Sequence, residues 1–593
     1  MAGVTALIAS LVPSASAASA GAQLVPGLAS LNQGSRATVL SISCPSAGNC
    51  AAGGSYTSSG SGAYPDEQAF VATEVNGIWG SAQEVAGTLN AGNYAAVNSV
   101  SCSSAGNCVA GGDFAQPRYQ GAVTAGQAFV ATEVNGIWGS AQEVAGTLNK
   151  GYNAEVYSVS CPSDGNCVAA GSYNAGSPYS FTEAFVVNEV NGIWGSAQEV
   201  AANHNTGGGA AVNSVSCSSA GTCVAAGYYT EISGTTQAFV DDEENGTWMP
   251  VQEVAANLNA VVGGGAWVYS VSCPSDGNCA AGGYYTDSSG NYQAFVVNEV
   301  NGSWGGATEV AENHNAGGDA QVNSVSCSSD GNCVAAGYYT DSSNHTQAFV
   351  ANEVNGNWGS AQEVAGTLNA GGYAQVSSVS CSSDGNCVAG GYYAVNANGV
   401  AQSFSVVESS GTWSAASLIP GLSSLTTGSN QGSLFNAVSC PTTGTCAAGG
   451  AVGTSYFGGT EFAVVGQGWV IDFPPTQVSS PLNVTAVRGA SWLRATWSAT
   501  PNALGYQCTL LTGIGVPSSF VLRTATPSCT FLGLDRTTAY GVEVSAIATT
   551  GRSTSVSAWP VSHEIVCVRA ARHLTRVGVY PVCPAGFRMV SSS

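Results

Sequence analysis

The stretch "SVSCPSDGNC" at residues 158–167 returns almost unchanged as "SVSCSSDGNC" at 378–387. Six further versions bring the number of such cysteine pairs to eight, each enclosing five residues. The pairs are Cys44 with Cys50, Cys102 with Cys108, Cys161 with Cys167, Cys217 with Cys223, Cys273 with Cys279, Cys327 with Cys333, Cys381 with Cys387, and Cys440 with Cys446. Their first members are spaced by 58, 59, 56, 56, 54, 54 and 59 residues. A period of that length, kept over eight copies, marks a repeat architecture in which each unit covers its neighbour.

One copy, "QVNSVSCSSDGNCVAAGYYTDSSNHTQAFVANEVNGNWGSAQE" at 321–363, divides into four runs rich in Val, Ala, Tyr, Phe and Trp. Turn residues bound each run, which is the pattern of short β-strands. Asn355-Gly356, before the fourth run, is the strongest short hairpin signal, because its two-residue turn needs positive φ twice. It recurs at Asn76-Gly77, Asn135-Gly136, Asn191-Gly192, Asn245-Gly246 and Asn301-Gly302, and relaxes to Ser410-Gly411 and Gln467-Gly468 in the last two copies. Each copy is therefore expected to be a four-stranded antiparallel meander, and four-stranded repeats of this kind pack radially as propeller blades. The predicted fold is all-β: an eight-bladed β-propeller over residues 22–475. Residues Gln23–Pro26 match the fourth-strand pattern of Leu418-Ile419-Pro420, so they are expected to complete the last blade beside Trp469–Phe473. The cysteines flank the tight turn between first and second strands, and bridges there would staple each inner hairpin. Metal binding is disfavoured because the pairs lack histidine partners or a second nearby pair. Redox catalysis would need a CxxC-like spacing.

Twenty cysteines in regular pairs point to an oxidising compartment, hence an extracellular or cell-surface protein. Residues 1–20 carry an apolar stretch around Val4–Val12 and small-residue cleavage candidates, and are expected to be a signal peptide. No later segment is apolar enough over ~20 residues to span a membrane. Up to residue 477 there are 32 acidic residues against three basic ones, a net of −29; beyond it, nine arginines face three acids, a net of +6. The acidic body would be repelled by nucleic acid and by anionic membrane.

Gly282-Gly283, Tyr284, Tyr285 and Trp304 follow an order that resembles Kelch-type propeller repeats. The pattern "SCPSDGNCVAAG" is similar to SCxSxxxCxAxG repeats of secreted actinobacterial proteins, a resemblance that implies the architecture and no activity. Residues 478–561, with "PLNVTAVRGASWLRATWSA" and "LGLDRTTAYGVEVSAIAT", resemble a fibronectin type III β-sandwich. That implies core roles for Trp497, Tyr506 and Tyr540. Cys508 and Cys529 are expected to pair, with other connectivities open on sequence alone. Residues 562–593 resemble a short Cys…CPxG tail, which implies a Cys567–Cys583 staple; Arg569, Arg572, Arg576 and Arg588 make this tail basic.

In a propeller the inner strands line the central channel, and loops on one face form the usual ligand site. The residue four before each first cysteine varies while its surroundings do not, and supplies Asn98, Tyr157, Asn213, Tyr269, Asn323 and Asn436. Tyr94, Trp267 and Tyr373 stand in the approaching loops. Aromatics and amides varied within a constant frame suit sugar stacking and hydroxyl bonding. His204 and His314 read as repeat duplicates, too far apart on a ring to share a metal. Glu74, Glu133, Glu189, Glu243, Glu299, Glu353 and Glu408 form one column and Glu84 to Glu363 another. Both are expected to serve solvation or strand edges. Asp287 and Asp341 offer at most weak Ca²⁺ contact, so no cofactor is implied. No GxSxG, P-loop or HExxH occurs.

The expected function is a monomeric surface-binding or adhesion protein for extracellular glycan, cell-wall polymer or protein. A polysaccharide hydrolase or lyase is the alternative, and a structural surface-layer component the third. Catalysis would need a break in the symmetry of the repeats. The divergent places are Asp241–Pro250 and the loop Ala115–Gly126, and unpaired carboxylates from such places at the channel mouth would favour the enzyme.

Overall fold

The computed structural model describes residues 21–473 apart from 35, 60–65, 117–124, 152, 177–180, 245, 260, 262, 384, 397–398, 410, 427–429, 442–445 and 458–461. It also describes 483–592 apart from 490, 499–504, 513–515, 525, 536–537, 539, 549–550, 553–555, 559, 561–562, 570–571 and 579–587. The predicted signal peptide, the Cys567–Cys583 staple and most of the Ala115–Gly126 loop lie outside the described residues. The chain separates into two compact bodies, one ending at Phe473 and one starting at Pro474.

The first body is a β-propeller-like array of repeated antiparallel sheets. In copy six the strands Ala320–Cys327, Cys333–Thr340, Thr346–Val354 and Asn357–Trp358 pair in sequence order. Where both residues are described, the Asn-Gly turns adopt the expected positive φ at both positions, 52° at Asn355 and 82° at Gly356.

The cysteines of every copy are bridged across the first hairpin. Cys44 is bonded to Cys50, Cys102 to Cys108, Cys161 to Cys167 and Cys217 to Cys223. Cys273 is bonded to Cys279, Cys327 to Cys333, Cys381 to Cys387 and Cys440 to Cys446. Their position relative to the turn is less uniform than the sequence suggests. In copies two, four, six and seven the cysteines do end the strands, with Cys102 opposite Cys108, Cys217 opposite Cys223, Cys327 opposite Cys333 and Cys381 opposite Cys387. In copies one, three and five they stand inside the strands instead. The ladder there runs past the bridge to Ser46 opposite Asn49, Ser163 opposite Asn166 and Ser275 opposite Asn278, so Cys50, Cys167 and Cys279 do not adjoin the turn. These three copies carry proline after the first cysteine, and their register shifts beside it, since proline offers no N–H to the ladder. In copy eight Cys440 lies just past the strand Gln431–Ser439, while Cys446 opens the next strand and faces Phe473.

Two expectations about the outer strand also change. The fourth run is not continuous: Asn357–Trp358 and Gln362–Glu363 pair separately with the third strand. Between them the chain turns to the preceding copy, where Trp358 Nε1 donates to Asn298 Oδ1 at 2.8 Å and Ala361 N donates to Val310 O at 2.9 Å. In copy eight Gln467-Gly468 is no turn, because both residues lie inside the strand Phe462–Phe473, paired with Val452 and Ala451. The missing outer strand comes from the other end of the body, with Gln23 opposite Val470 and Leu24 opposite Trp469.

The structure explains the rest of the SVSC motif. Each serine oxygen of one first strand accepts a backbone N–H from the next copy's first strand. Ser99 Oγ accepts from Val159 N and Ser101 Oγ from Cys161 N, both at 3.0 Å. Equivalent bonds run through all the copies, and Ser439 of copy eight returns to Cys44 N of copy one at 2.9 Å. The motif is thus an inter-sheet clamp as well as a staple. The recurrent Gly before the tyrosines has a steric cause: a Cβ on Gly337 would lie 1.9 Å from Gln321 O.

The glutamates preceding the hairpin turns are buried, contrary to the expectation of solvated edges. Glu353 is 2% exposed; it accepts the Gly356 N–H and, at 3.1 Å, the Cys333 N–H. Glu243 and Glu408 accept turn N–H groups in the same way. In copies one, three and five the turn N–H goes instead to Gly48 O, Gly165 O and Gly277 O. That leaves Glu74, Glu189 and Glu299 turned toward Asp472, Thr132 and Asp242 of the preceding copy.

At the seam between copies eight and one, burial and then the Asp472 carboxyl push Glu74 from its ordinary 4.5 to about 8. Burial raises Asp472 as well. The folded chain therefore holds a proton that the unfolded chain releases above about pH 4.5. This contribution to stability is complete below pH 4.5 and is lost as pH rises through about 8, at up to about 1.4 kcal/mol per pH unit. Glu299 and Asp241, both raised to about 7 by burial first, act in the same direction. The melting temperature is expected to fall between about pH 5 and 8, less steeply in Glu74→Gln. A calorimetric pH series on both proteins checks it, and parallel slopes would remove the seam pair from the explanation.

The second body pairs a sheet of Thr485–Arg488, Trp492–Thr496 and Ser528–Leu532 with one built on Val516–Thr524, Gly505–Thr512 and Tyr540–Ala548. Leu493, Trp497, Tyr506, Val542 and Val544 share one core, and Trp497 meets Tyr506 edge-on at 5.0 Å. Cys508 and Cys529 are bridged between the two sheets. Among the described residues no helix is long and apolar enough to cross a membrane.

Candidate functional site

The variable position before the cysteine has a structural identity: it is a β-bulge. The register of each first strand slips there, between Val322 and Ser324 around Asn323, and likewise around Asn98, Tyr157, Asn213, Tyr269 and Asn436. A bulge adds an unpaired residue and bends the strand, which turns the side chain out of the regular ladder.

The four asparagines of this row have a structural duty. Asn213 Nδ2 donates to Val268 O at 2.7 Å, Asn323 Nδ2 to Val376 O at 2.8 Å and Asn436 Nδ2 to Val39 O at 2.8 Å. Asn98 Nδ2 donates to Val156 O at 3.1 Å and to Glu155 Oε1 at 3.0 Å. Each acceptor carbonyl precedes the bulge of the following copy. Each asparagine therefore commits an N–H to the neighbouring strand, a bond that the tyrosines of the row do not make.

Those tyrosines belong to a larger aromatic arc that one-row reasoning missed. On the second strand, the residue after the recurrent Gly is Tyr228, Tyr284, Tyr338 and Tyr392 in copies four to seven. Trp267 stacks on Tyr284 at 4.8 Å and meets Tyr228 at 5.7 Å. Tyr269 stacks on Tyr284 at 5.8 Å. Tyr373 lies nearly parallel to Tyr392, 12° apart at 6.1 Å, with Phe457 and Phe462 against its edge. The signal was present in the aligned copies, as a second variable column beside one that is aromatic in copies one to seven and Val452 in copy eight.

Copies five to eight line a half-open cavity of about 710 Å³ formed by Tyr269, Asp319, Gln321, Asn323, Tyr338, Thr346, Tyr373, Gln375, Ser377 and Phe457. Tyr269, Asn323 and Tyr373 are the sequence-predicted members; the others were missed. Tyr338 donates to Asp319 Oδ1 at 3.4 Å, and burial raises the Asp319 carboxyl. Gln321 Nε2 donates to Asn323 Oδ1 at 2.7 Å, and Gln375 Nε2 donates to the Tyr392 hydroxyl at 2.8 Å. The cavity thus offers flat apolar faces with pre-aligned amides and a carboxylate between them.

Of the remaining predicted residues, Trp267 stands in copy five with Tyr269 and Asn436 in copy eight, while Tyr94, Asn98, Tyr157 and Asn213 belong to copies two to four. Tyr94 is 40% exposed beside Asp113, and the Tyr157 hydroxyl lies 3.0 Å from Ser172 Oγ. His204 and His314 pack on Tyr229 and Tyr339 at 5.2 and 5.3 Å, which is a packing role. The Asp287 carboxylate caps its own turn by accepting from Ser289 N, Asn291 N and Gln293 Nε2, and Asp341 does the same with Ser343 N, His345 N and Gln347 Nε2. Those bonds hold each carboxylate against its own turn. Among the described residues no group of three His, Cys, Asp or Glu side chains is placed to hold a metal ion.

No family model and no curated protein matches the chain. Among solved structures, the Hadza microbial sialidase Hz136 aligns at 10% identity over 70% of this chain and 74% of its own, with a TM-score of 0.36. An ulvan polysaccharide lyase bound to its uronate–rhamnose repeat aligns at 10% identity over 68% of this chain and 94% of its own, TM-score 0.36. The Aleuria aurantia lectin bound to a fucosyl disaccharide aligns at 11% identity over 54% of this chain and 95% of its own, TM-score 0.27. At these scores the functional reading rests on the residues of the chain itself.

Proposed function

We propose that the chain is an extracellular glycan-binding protein whose eight-bladed propeller presents the inner-strand face to the ligand, and that a fibronectin type III domain follows it in the sequence. The observation that carries this reading is the cavity of about 710 Å³, whose lining combines the rings of Tyr269, Tyr338, Tyr373 and Phe457 with the amides of Gln321, Asn323 and Gln375. Sugar rings offer flat C–H faces to aromatics and hydroxyls to amides and carboxylates, and a cavity of this size suits one to a few sugar units. The disulfides suit an oxidising compartment. Asp113, Glu155 and Asp319 are acids of this region, and the described residues of this body hold only two Lys or Arg side chains, Arg36 and Lys150. Anionic sugars want guanidinium or ammonium partners, so neutral or amino sugars fit better than uronates, sialates or sulfated chains.

The test is retention of the oxidised protein on chitin, chitosan, xylan, mannan, β-1,3-glucan and peptidoglycan. Tyr269→Ala and Tyr373→Ala are each expected to weaken binding about tenfold or more, from lost ring contact of roughly 1.5 kcal/mol. Retention equal to wild type in both variants would place the ligand elsewhere.

A further inference from the structure

Copy two breaks the symmetry of the second-strand column at Asp113, where other copies carry Ser, Tyr or Ala. Copy three breaks the first-strand column at Glu155, where other copies carry Thr, Ala, Trp, Gln or Leu. Asp113 pairs with Ala96, and Glu155 pairs with Ser172, at equivalent rungs of adjacent sheets. Gly111, two residues before Asp113, packs against Val156 and Val159 of copy three, so Asp113 is turned toward Glu155. The Asn98 amide lies between the two carboxyls and donates to Glu155 Oε1 at 3.0 Å.

Two facts set the pair apart from a solvated acidic patch. Asp113 is only 8% exposed, and its buried Oδ1 accepts no hydrogen bond among the described residues. Such an oxygen is costly unless it carries a proton or a ligand supplies a donor. The pair also stands at one end of the aromatic arc: Tyr94 and Tyr157 flank it, and Tyr157 leads through Tyr228 to Trp267. Burial, before all else, drives Asp113 well above the usual carboxylate range and also raises Glu155. Hydrogen bonds from Tyr157 and Asn98 favour the ionised form of Glu155. Burial thus raises both carboxyls, and the Asn98 amide stands where it can bond either one when ionised. Two neighbouring carboxyls in unequal surroundings are the kind of pair that glycoside cleavage uses.

We propose that Asp113 and Glu155 act as general acid and general base in the hydrolysis of a glycosidic bond in a chain laid along the aromatic arc. This rests on the glycan-binding reading. In the step, the bond between the anomeric carbon and the glycosidic oxygen breaks, and Asp113 gives its proton to the departing oxygen. The oxygen of a water bonds to the anomeric carbon, and its proton passes to Glu155. The ionised Asp113 and protonated Glu155 then exchange a proton with solvent, which restores the starting state.

The experiment incubates the oxidised full-length protein with the same six polysaccharides and assays both retention and new reducing ends. At least one retained polysaccharide is expected to yield reducing ends. Asp113→Asn and Glu155→Gln should each slow release about 100-fold or more, the scale of lost acid–base catalysis, with retention changed by less than about threefold. The wild-type rate should follow a bell-shaped pH profile, with the alkaline limb lost in Asp113→Asn. Circular dichroism establishes that each variant is folded; if Asp113→Asn is not, the more exposed Glu155→Gln carries the test. Retention without reducing ends, or release undiminished in folded variants, would overturn the catalytic proposal and leave the binding reading standing. Retention on none of the six would remove both.

Discussion

Reduction of the disulfides is expected to unfold the repeat body at temperatures where the oxidised protein is fully native. Each bridge closes a hairpin of five intervening residues, and a loop that short restricts the unfolded chain by about 2 kcal/mol. Eight such contributions together rival the ~5–15 kcal/mol that separates typical folded and unfolded states. Side-chain volume offers little reserve: the inter-sheet cores are built from Val, Ala and Cys with a few aromatics, and the second strands are glycine-rich where they cross the first. The loss should also be collective, because Cys161 N and Cys217 N are the groups clamped by the preceding copy's serines. Thermal melting followed by circular dichroism, with and without reductant, reads this directly. A single pair removed as Cys161→Ala with Cys167→Ala should cost only about 2 kcal/mol. An unchanged melt after verified reduction of all pairs would mean that the serine clamp and the inter-sheet packing suffice alone.

The second large effect is expected from deleting residues 21–32. This segment supplies the outer strand of the sheet that also holds the last strands of the repeat body, through Gln23 and Leu24. Ala22 N donates to Pro420 O at 2.7 Å and Val25 N to Gly468 O at 3.0 Å, while Asn32 Nδ2 reaches Gly466 O at 2.9 Å. Val25 and Leu28 are 2% and 1% exposed, and each is worth about 1.5–3 kcal/mol of burial. The deletion would also bare the edge of the strand Phe462–Phe473, a template for pairing with another chain. The melt is expected to broaden and drop by at least ~5 °C, with oligomers visible by size-exclusion chromatography. A truncated chain that melts sharply at the original temperature would show that inner-strand contacts alone close the array.

Much of the architecture was legible because its causes are local. Asn-Gly turns, alternating strand residues and a cysteine on either side of a five-residue turn act within one copy. The Gln23–Pro26 match to Leu418–Pro420 was legible for the same reason, since it compares one short pattern with another. Local patterning also misled. Gln467-Gly468 resembles the turns of the other copies, yet the partner strand arriving from residues 23–24 keeps that segment extended. The glutamates before the turns look like edge charges, but they are buried, bonded to backbone N–H groups of their own copy or turned toward the preceding one.

The candidate site was half legible. Tyr269 and Tyr373 stand in variable columns and were found, whereas Tyr338, Gln321, Gln375, Asp113 and Glu155 were not. Their positions vary just as visibly, but which columns share a face depends on the bulge and on the sheet that packs behind it. Asn98, Asn213, Asn323 and Asn436 make the opposite point: their chemistry suits a ligand, and the carbonyl opposite each bulge claims it first.

By itself, then, the sequence determined the repeat, the strands, the turns and the stapled hairpins, since each follows from residues a few positions apart. The tertiary structure decided which side chains meet. Asp113 and Glu155, or Trp267 and Tyr228, belong to different copies and come together only when adjacent sheets pack, a contact encoded by neighbouring copies together rather than by either alone.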